Sequence, residues 1–383
     1  MKTNQHVTVV GAGLAGCTLA RILAESGIAV TVHESREHIG GNCHDSRCRQ
    51  TGVMIHRYGP HIFHTDRPEV YAFLERFTQF TDYRHRVRTV ANGQVWPLPV
   101  NMLTLNQFWG TALSPQQARE RLDTLRAPTQ EAPEHLEAQA LQLMGVDLYQ
   151  LFFKGYTQKQ WGRAATSLPA SILRRLPFRF NYDDRYFQQA RQGIPDKGYT
   201  QMALRMLEHP LITLRLNSPV TPLQMQDAGR KSHLFWTGPL DSFFDYEAGR
   251  LPYRTLDFEE FTAQGDFQGC AVMNYSDEDV PWTRITEHKH FMPDEHHEQT
   301  VCWREFSREA QPEDIPYYPV QQTLDDPLLK HYLKRAEETE NVTFIGRLAT
   351  FRYQDMDAVI WDAMQVAQRF IAGEKLTFPD SRA

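Results

Sequence analysis

Near its amino terminus the chain runs His6-Val7-Thr8-Val9-Val10 and then Gly11-Ala12-Gly13-Leu14-Ala15-Gly16, and this hexapeptide constrains the fold more than any other feature. The apolar, β-branched run before it reads as a buried strand. Leu14 to Glu25 carries a helical pattern, and Ile28 to His33 reads as a second strand. In such a βαβ unit the first glycine permits the tight turn, the second lets the backbone approach a pyrophosphate, and the third lets helix pack on strand, so that the helix N-terminus faces the anion. Glu34, 18 residues beyond Gly16, closes the second strand where a carboxylate can accept a ribose hydroxyl. The unit reads as a dinucleotide site with Gly11, Gly13, Leu14, Gly16 and Glu34 as its contacts.

At 383 residues the chain has room for one to three domains, and its 41% hydrophobic and 23% charged residues are ordinary globular values. A net charge of −6 argues against nucleic acid as a partner, while leaving room for a local basic pocket around one phosphorylated ligand. No stretch reaches the ~18 to 20 uninterrupted apolar residues of a membrane span, and the N-terminal pattern is helical rather than signal-like, so a cytoplasmic location is expected. Five scattered cysteines (17, 43, 48, 270 and 302) point to reduced thiols. Cys43-His44 with Cys48 lacks a second pair. His288-x-His290 and His296-His297 lack a third ligand and read as a strand face and a solvated loop, so no metal centre is expected.

Helical signals dominate from about Leu103 to Leu176: Ser114-Pro115 is an N-cap with a first-turn proline, Pro133 opens a run through Met144, and Gly145 stands where a C-cap belongs. From Phe267 to Glu305 the pattern turns to aromatic and β-branched strands of antiparallel type. Ser232 to Gly238 and Asn341 to Gly346 read as further Rossmann strands, the latter preceding a last helix with Asp355 as N-cap. The expected fold class is α/β. A discontinuous Rossmann-like domain is assembled from residues 1–78, 195–242 and 320–383. A helical bundle (103–178) and an antiparallel β-sheet domain (79–102, 179–194 and 243–319) are inserted in it.

Glu34 is followed by Arg36 and by Ile39-Gly40-Gly41-Asn42. This second glycine doublet resembles the FAD-binding oxidase and desaturase superfamily more than the NAD dehydrogenases, and Gly346-Arg347 before the last helix resembles that superfamily's second half. FAD is the cofactor this likeness implies. Four longer blocks are more specific: Tyr58-Gly-Pro-His-Ile-Phe-His-Thr65, Lys154-Gly-Tyr-Thr-Gln-Lys-Gln-Trp-Gly162, Arg175-Leu-Pro-Phe-Arg-Phe180 and Trp282-Thr-Arg-Ile-Thr-Glu-His-Lys289. With Thr237-Gly238-Pro239, Tyr317-Tyr318-Pro319 and Gly346-Arg347-Leu348, they resemble the bacterial UDP-galactopyranose mutases nearly end to end.

The resemblance implies an isomerase that interconverts UDP-galactopyranose and UDP-galactofuranose with no net redox change. In that family the N5 of reduced FAD attacks the anomeric carbon and expels the nucleoside diphosphate. It also implies an external reductant such as NAD(P)H, a homodimer, and a role in supplying furanose donors for surface polysaccharide. Arg175 and Arg284 would stabilise the leaving diphosphate, a task that suits the planar fork of arginine, and His61 would stand at the flavin. Tyr156 would stack on uracil, and Tyr186, Tyr318 and Tyr353 would hydrogen-bond the diphosphate. Phe152, Phe153 and Trp161 would wall the pocket, with Asn274 meeting substrate or flavin. Further cofactor contacts implied are Arg36, Gly41, Asn42, His61, Ile62, Arg347, Tyr353, Asp355 and Met356. Pro60, His85 and Gln354 depart from some relatives near the sugar end, so the sugar stays open: a dTDP-linked fucose or UDP-linked N-acetylgalactosamine would use the same chemistry. A flavin oxidoreductase is the reading from another class.

Overall fold

A computed structural model describes residues 6–126, 132–170, 172, 178–221, 224, 232–320 and 326–376. The apolar strand His6–Val10 lies at the centre of a five-stranded parallel sheet in the order Val342–Phe344, His233–Trp236, His6–Val10, Ala29–His33, Ile212–Arg215. Val7 stands opposite His233 on one side and Val30 on the other. With neighbours on both edges and helices against it, the strand can be apolar at every inner position, and Val7 and Val9 are fully buried. Helix Leu14–Glu25 packs against Tyr199–Leu207 and Met356–Ile371, so the first, middle and last parts of the chain share one core. The α/β class, with a parallel sheet built from distant segments, is as the sequence pattern predicts.

A second sheet has seven strands, in the order Tyr318–Pro319, Tyr253–Gln264, Gln299–Glu309, Arg284–Glu287, Val272–Tyr275, Val87–Ala91, Gln94–Leu98. Its neighbours are antiparallel except for the parallel pair Val272–Tyr275 and Val87–Ala91. The register sets Asn274 opposite Arg284 and Arg284 opposite Glu305, so these three polar residues stand abreast on adjacent strands.

The helical segment contains Met102–Trp109, Pro115–Leu125, Leu136–Tyr149, a π-helical turn over Gln150–Lys154, and Gly155–Trp161. Ser114 caps as predicted: its Oγ accepts from the Gln117 amide at 3.4 Å, and Gln117 Oε1 accepts from the Ser114 amide at 2.9 Å. Of two further expectations, one is corrected and one holds. The next helix begins at Leu136 rather than Pro133, because His135 is its cap, with Nδ1 accepting from the Ala138 amide at 3.1 Å. Gly145 ends the first helical stretch of this segment, as expected: its backbone is non-helical (φ +75°, ψ +175°), and a second stretch follows to Tyr149. A Cβ there would lie 2.5 Å from the Leu125 carbonyl oxygen, so the glycine also serves a close backbone crossing. No helix among the described residues is long and apolar enough to cross a membrane.

Candidate active site

The carboxyl ends of the parallel strands open onto a cavity of about 2000 Å³, also lined by Asn274, Arg284 and Tyr318 from the second sheet and by Tyr156 and Trp161 from the helical segment. Single small-molecule pockets run to roughly 1000 Å³, so this volume has room for a dinucleotide and a second nucleotide together. Within the fingerprint the three glycines do different things. Gly11 has φ +101°, and a Cβ would lie 2.0 Å from Thr237 Oγ1. A Cβ on Gly16 would lie 2.0 Å from the Gly11 carbonyl oxygen, so Gly16 is required by helix-on-strand packing. Gly13 has no such constraint: its nearest neighbour would be Gly41 Cα at 3.8 Å, and it faces the cavity. Nothing among the described residues demands glycine there, which leaves the close approach of a ligand as the reason.

Other features of this half fit an anionic dinucleotide. Helices Leu14–Glu25 and Met356–Ile371 both start at the cavity, and neither has a side chain capping its first amides. Asp355 does occupy the N-cap of the second, but its carboxylate does not accept from those amides. Glu34 is buried, its Oε2 accepting from the Ala12 amide at 2.8 Å and its Oε1 from the Arg36 amide at 2.9 Å and from Ser35 Oγ at 3.3 Å. Of the ~4 lone-pair sites of a carboxylate, about one remains for a hydroxyl. Arg36 donates from Nη2 to Asn42 Oδ1 at 3.0 Å and stacks 4.8 Å over the Tyr58 ring, while its Nη1 is buried without a partner among the described residues. An orphaned cationic donor at the wall of such a cavity is what a phosphate or polar ligand atom would satisfy.

Arg284 organises the other half. Its Nη2 donates to the Tyr156 hydroxyl at 2.6 Å, and its Nε lies 3.2 Å from Glu305 Oε1 in an ion-pair contact without hydrogen-bond alignment. Burial acts to lower its pKa, but Glu305, followed by Tyr156, Tyr318 and Tyr186, outweighs that influence and holds it above the usual arginine value. No acceptor among the described residues meets Nη1. Burial pushes the Tyr156 phenol up to about 12 and raises Tyr318 as well, so both stay protonated at neutral pH. Tyr318 stacks on Tyr353 at 5.8 Å with the Arg347 guanidinium 5.3 Å over its ring. Tyr186 packs edge-on to His85 at 5.4 Å. Asn274 Oδ1 is buried without a partner among the described residues.

His61 sits where the chain turns into the cavity. Its amide donates to His56 Nδ1 at 3.1 Å, its Nδ1 pairs with the Gly59 carbonyl at 2.8 Å, and its own carbonyl accepts from the Tyr199 hydroxyl at 3.1 Å. Burial above all, with the Arg347 charge acting the same way, pulls its pKa down to about 4, so the ring is neutral near pH 7. His85 is likewise held down to about 3 by burial, then Arg284 and His64. His288 begins a 3-10 turn, fully buried, and does not lie on the strand face expected for it. Ligand atoms of Asp266, Glu287 and His290 approach within 4.8 Å of one another, but Lys289 Nζ lies 2.5 Å from Asp266 Oδ1 and already supplies the cation there.

Most of the sequence-predicted residues therefore meet at one cavity: Gly11, Gly13, Leu14, Glu34, Arg36, Gly41, Asn42, His61, Ile62, Tyr156, Trp161, Tyr186, Asn274, Arg284, Tyr318, Arg347, Tyr353, Asp355 and Met356 all line it. Gly16, Phe152 and Phe153 do not. Gly16 is packed beneath the turn. Phe152 and Phe153 are buried in the helical core, with Phe152 edge-on to Trp96 at 5.4 Å, because the π-helical turn rotates them inward. Arg175 lies outside the described residues. Sequence reading missed Glu305, the counter-ion of Arg284 from a strand 21 positions away, and the His56–Tyr199 support beneath His61; these pairings follow from register and tertiary contact, and no local pattern announces them.

Comparison with known proteins fits this geometry. Residues 151–353 match the UDP-galactopyranose mutase family, and residues 9–77 match the NAD(P)-binding Rossmann-like domain. The chain is 49% identical to a probable UDP-galactopyranose mutase of Klebsiella pneumoniae over 96% of its own length and 95% of that protein's. It is 48% identical to a dTDP-fucopyranose mutase of Escherichia coli, over 96% and 99% of the two chains. A solved structure of reduced UDP-galactopyranose mutase superposes with a TM-score of 0.76 at 14% identity, covering 98% of this chain and 95% of that one. A putrescine oxidase variant shares the fold more distantly, at a TM-score of 0.60 with 13% identity over 96% and 99% of the two chains. Two relatives near one-half identity over almost the whole chain, and a family match across the segment that carries Tyr156, Arg284 and Tyr318, place this protein in the UDP-galactopyranose mutase family of isomerases.

Proposed function

We propose that this chain, loaded with reduced FAD, interconverts UDP-galactopyranose and UDP-galactofuranose with no net redox change. The observation that carries the reading is the partly buried Arg284 guanidinium, held by Glu305 and Tyr156 in the same cavity as two uncapped helix ends. As a glycosyl bond to a diphosphate breaks, charge develops on the leaving oxygens, and a guanidinium already fixed in place stabilises it without reorganising. The hydroxyls of Tyr186, Tyr318 and Tyr353 can donate hydrogen bonds to the same oxygens without adding charge, while Tyr156 would stack on uracil. Arg175 is the proposed second cation. Reduced FAD, when bound, supplies the nucleophile for the anomeric carbon. The chain would hold it through the Gly11–Leu14 turn, Glu34, Arg36, Gly41 and Asn42 at the nucleotide end, and through His61, Ile62, Arg347, Tyr353, Asp355 and Met356 further along the cavity. Neutral His61 and His85 near the reacting centre would neither donate a stray proton to the sugar nor compete with the arginines for the diphosphate.

A dTDP-linked fucose is the second reading, favoured by the near equality of the 49% and 48% relatives. A methyl on the base or a missing sugar hydroxyl shifts discrimination by only ~1 to 3 kcal/mol, so both donors can compete for this cavity. Competition between UDP-galactose, dTDP-fucose and UDP-N-acetylgalactosamine, ranked by kcat/KM, tests the assignment: UDP-galactose is expected to lead, and a tenfold preference for a rival would overturn the named sugar. The same proposal includes a cytoplasmic homodimer reduced by NAD(P)H, and the three-part domain division given above.

A further inference from the structure

The two halves of the Arg284–Tyr156 pair stand on different elements. Tyr156 is on helix Gly155–Trp161, and Arg284 opens strand Arg284–Glu287 after the loop that leaves Val272–Tyr275. A single hydrogen bond between two long side chains does not fix the spacing of their backbones. Lys159, one turn beyond Tyr156, does. Its ammonium donates to the carbonyl oxygens of Tyr275 at 2.7 Å, Asp277 at 2.8 Å and Val280 at 2.9 Å, which uses all three of its N–H groups. Carboxylates of the same loop could have taken this charge. Backbone carbonyls take it instead, so the three bonds fix the path of the main chain rather than the position of a mobile side chain. The seam is close-packed: a Cβ on Gly155 would lie 2.2 Å from the Ser276 carbonyl oxygen, and Ser276 Oγ donates to the Phe152 carbonyl at 3.2 Å. At the other end of the helix, buried Arg254 donates from Nε to the Gln160 carbonyl at 3.0 Å and from Nη2 to the Lys159 carbonyl at 3.4 Å. Lys159 itself does not line the cavity.

We propose that Lys159 is a positioning residue for diphosphate recognition: by tying the loop before Arg284 to the helix of Tyr156, it sets the spacing at which the two side chains meet a nucleoside diphosphate. The proposal rests on the reading that this pair binds the UDP portion of the substrate. Lys154 supplies an internal contrast. It makes one exposed ion pair to Glu278 at 3.1 Å, a class of contact worth little.

The test is UDP binding to oxidised, FAD-loaded enzyme, followed by tryptophan fluorescence, for the unsubstituted protein, Lys159→Met, Tyr156→Phe, the double variant and Lys154→Met. The expected result is a loss of UDP affinity of about tenfold for Lys159→Met, and of less than about threefold when the same change is made in the Tyr156→Phe background, because neighbours acting through one contact are not additive. Lys154→Met should bind UDP as the unsubstituted protein does. Equal fold losses in both backgrounds, or unchanged affinity in Lys159→Met, would overturn the proposal by reducing Lys159 to general support of the fold. Should Lys159→Met fail to hold FAD, Lys159→Gln, which keeps one amide donor, goes through the same comparison. Absence of UDP binding by the unsubstituted enzyme would instead overturn the reading of the site, and this inference with it.

Discussion

Gly13 and Gly16 are three residues apart in one hexapeptide, and the structure assigns them opposite sensitivities. An alanine at Gly13 meets nothing closer than Gly41 Cα at 3.8 Å, and the backbone there (φ −75°, ψ −178°) is open to any L-residue. The weaker N-cap preference of alanine, typically ~1 kcal/mol, is offset by the ~0.4 to 1 kcal/mol gained from a less flexible unfolded chain, so the apoprotein should be nearly as stable as before. An alanine at Gly16 drives a methyl to 2.0 Å from a backbone oxygen that cannot step aside, and overpacking of this kind costs ~1 to 3 kcal/mol or more. For cofactor binding the order reverses. A methyl at Gly13 occupies the approach of the pyrophosphate. Losing one charge-assisted amide contact, worth ~1.5 to 3 kcal/mol, should weaken FAD by about ten- to a hundredfold, and Gly13→Val should abolish binding. Thermal unfolding of the apoproteins, paired with FAD titration by quenching of flavin fluorescence, separates the two effects. Wild-type FAD affinity in Gly13→Ala, or apoprotein destabilisation matching that of Gly16→Ala, would refute the reasoning.

Arg284→Ala should lose about 2 to 4 kcal/mol of transition-state stabilisation in kcat/KM while keeping its FAD, and near wild-type kinetics would remove this arginine from the leaving group. Phe152→Ala should cost about 3 to 5 kcal/mol of unfolding free energy in denaturant titration with UDP affinity unchanged, since its ring is in the helical core; a selective loss of UDP binding would return it to the pocket wall. His61 and His85 have folded pKa values of about 4 and about 3, below the ordinary 6.5. Between pH 6.5 and about 4 the unfolded chain takes up protons that the native state refuses, so stability present above pH 6.5 should fall on acidification, with each such group adding a slope of up to ~1.4 kcal/mol per pH unit. His85→Asn should flatten the dependence of unfolding free energy on pH in that window, and an unchanged slope would contradict the neutral assignment.

What could be read from sequence was what depends on short range. The hexapeptide, the Ser114 cap and the last helix each announce themselves within a few residues, because a glycine at a tight turn, a serine before a proline and a 3.6-residue apolar repeat are local requirements. Gly145 was legible for the same reason. A glycine after an apolar helical run is a stop signal, and the first helical stretch ends there; the close crossing of Leu125, 20 residues earlier, is what no local pattern announces. Phe152 and Phe153 sit next to residues that do reach the cavity, and the π-helical turn that rotates them into the core leaves no mark on the pattern of apolar residues. The electrostatic partner of Arg284 was hidden most completely. Glu305 reads as one acid in a long strand until the register of three strands sets it beside Asn274 and Arg284.

The central claim is an isomerisation that needs reduced flavin and consumes no electrons. It is tested most directly by incubating UDP-galactopyranose with the FAD-loaded enzyme, oxidised in one sample and reduced in another by a single measured addition of dithionite, and resolving the two ring forms by chromatography. The account predicts that UDP-galactofuranose appears only in the reduced sample, as a minor equilibrium component, with many turnovers for each electron pair added. Furanose formed equally by oxidised enzyme, one electron pair consumed per sugar converted, or no furanose from a fully reduced and folded enzyme would contradict it.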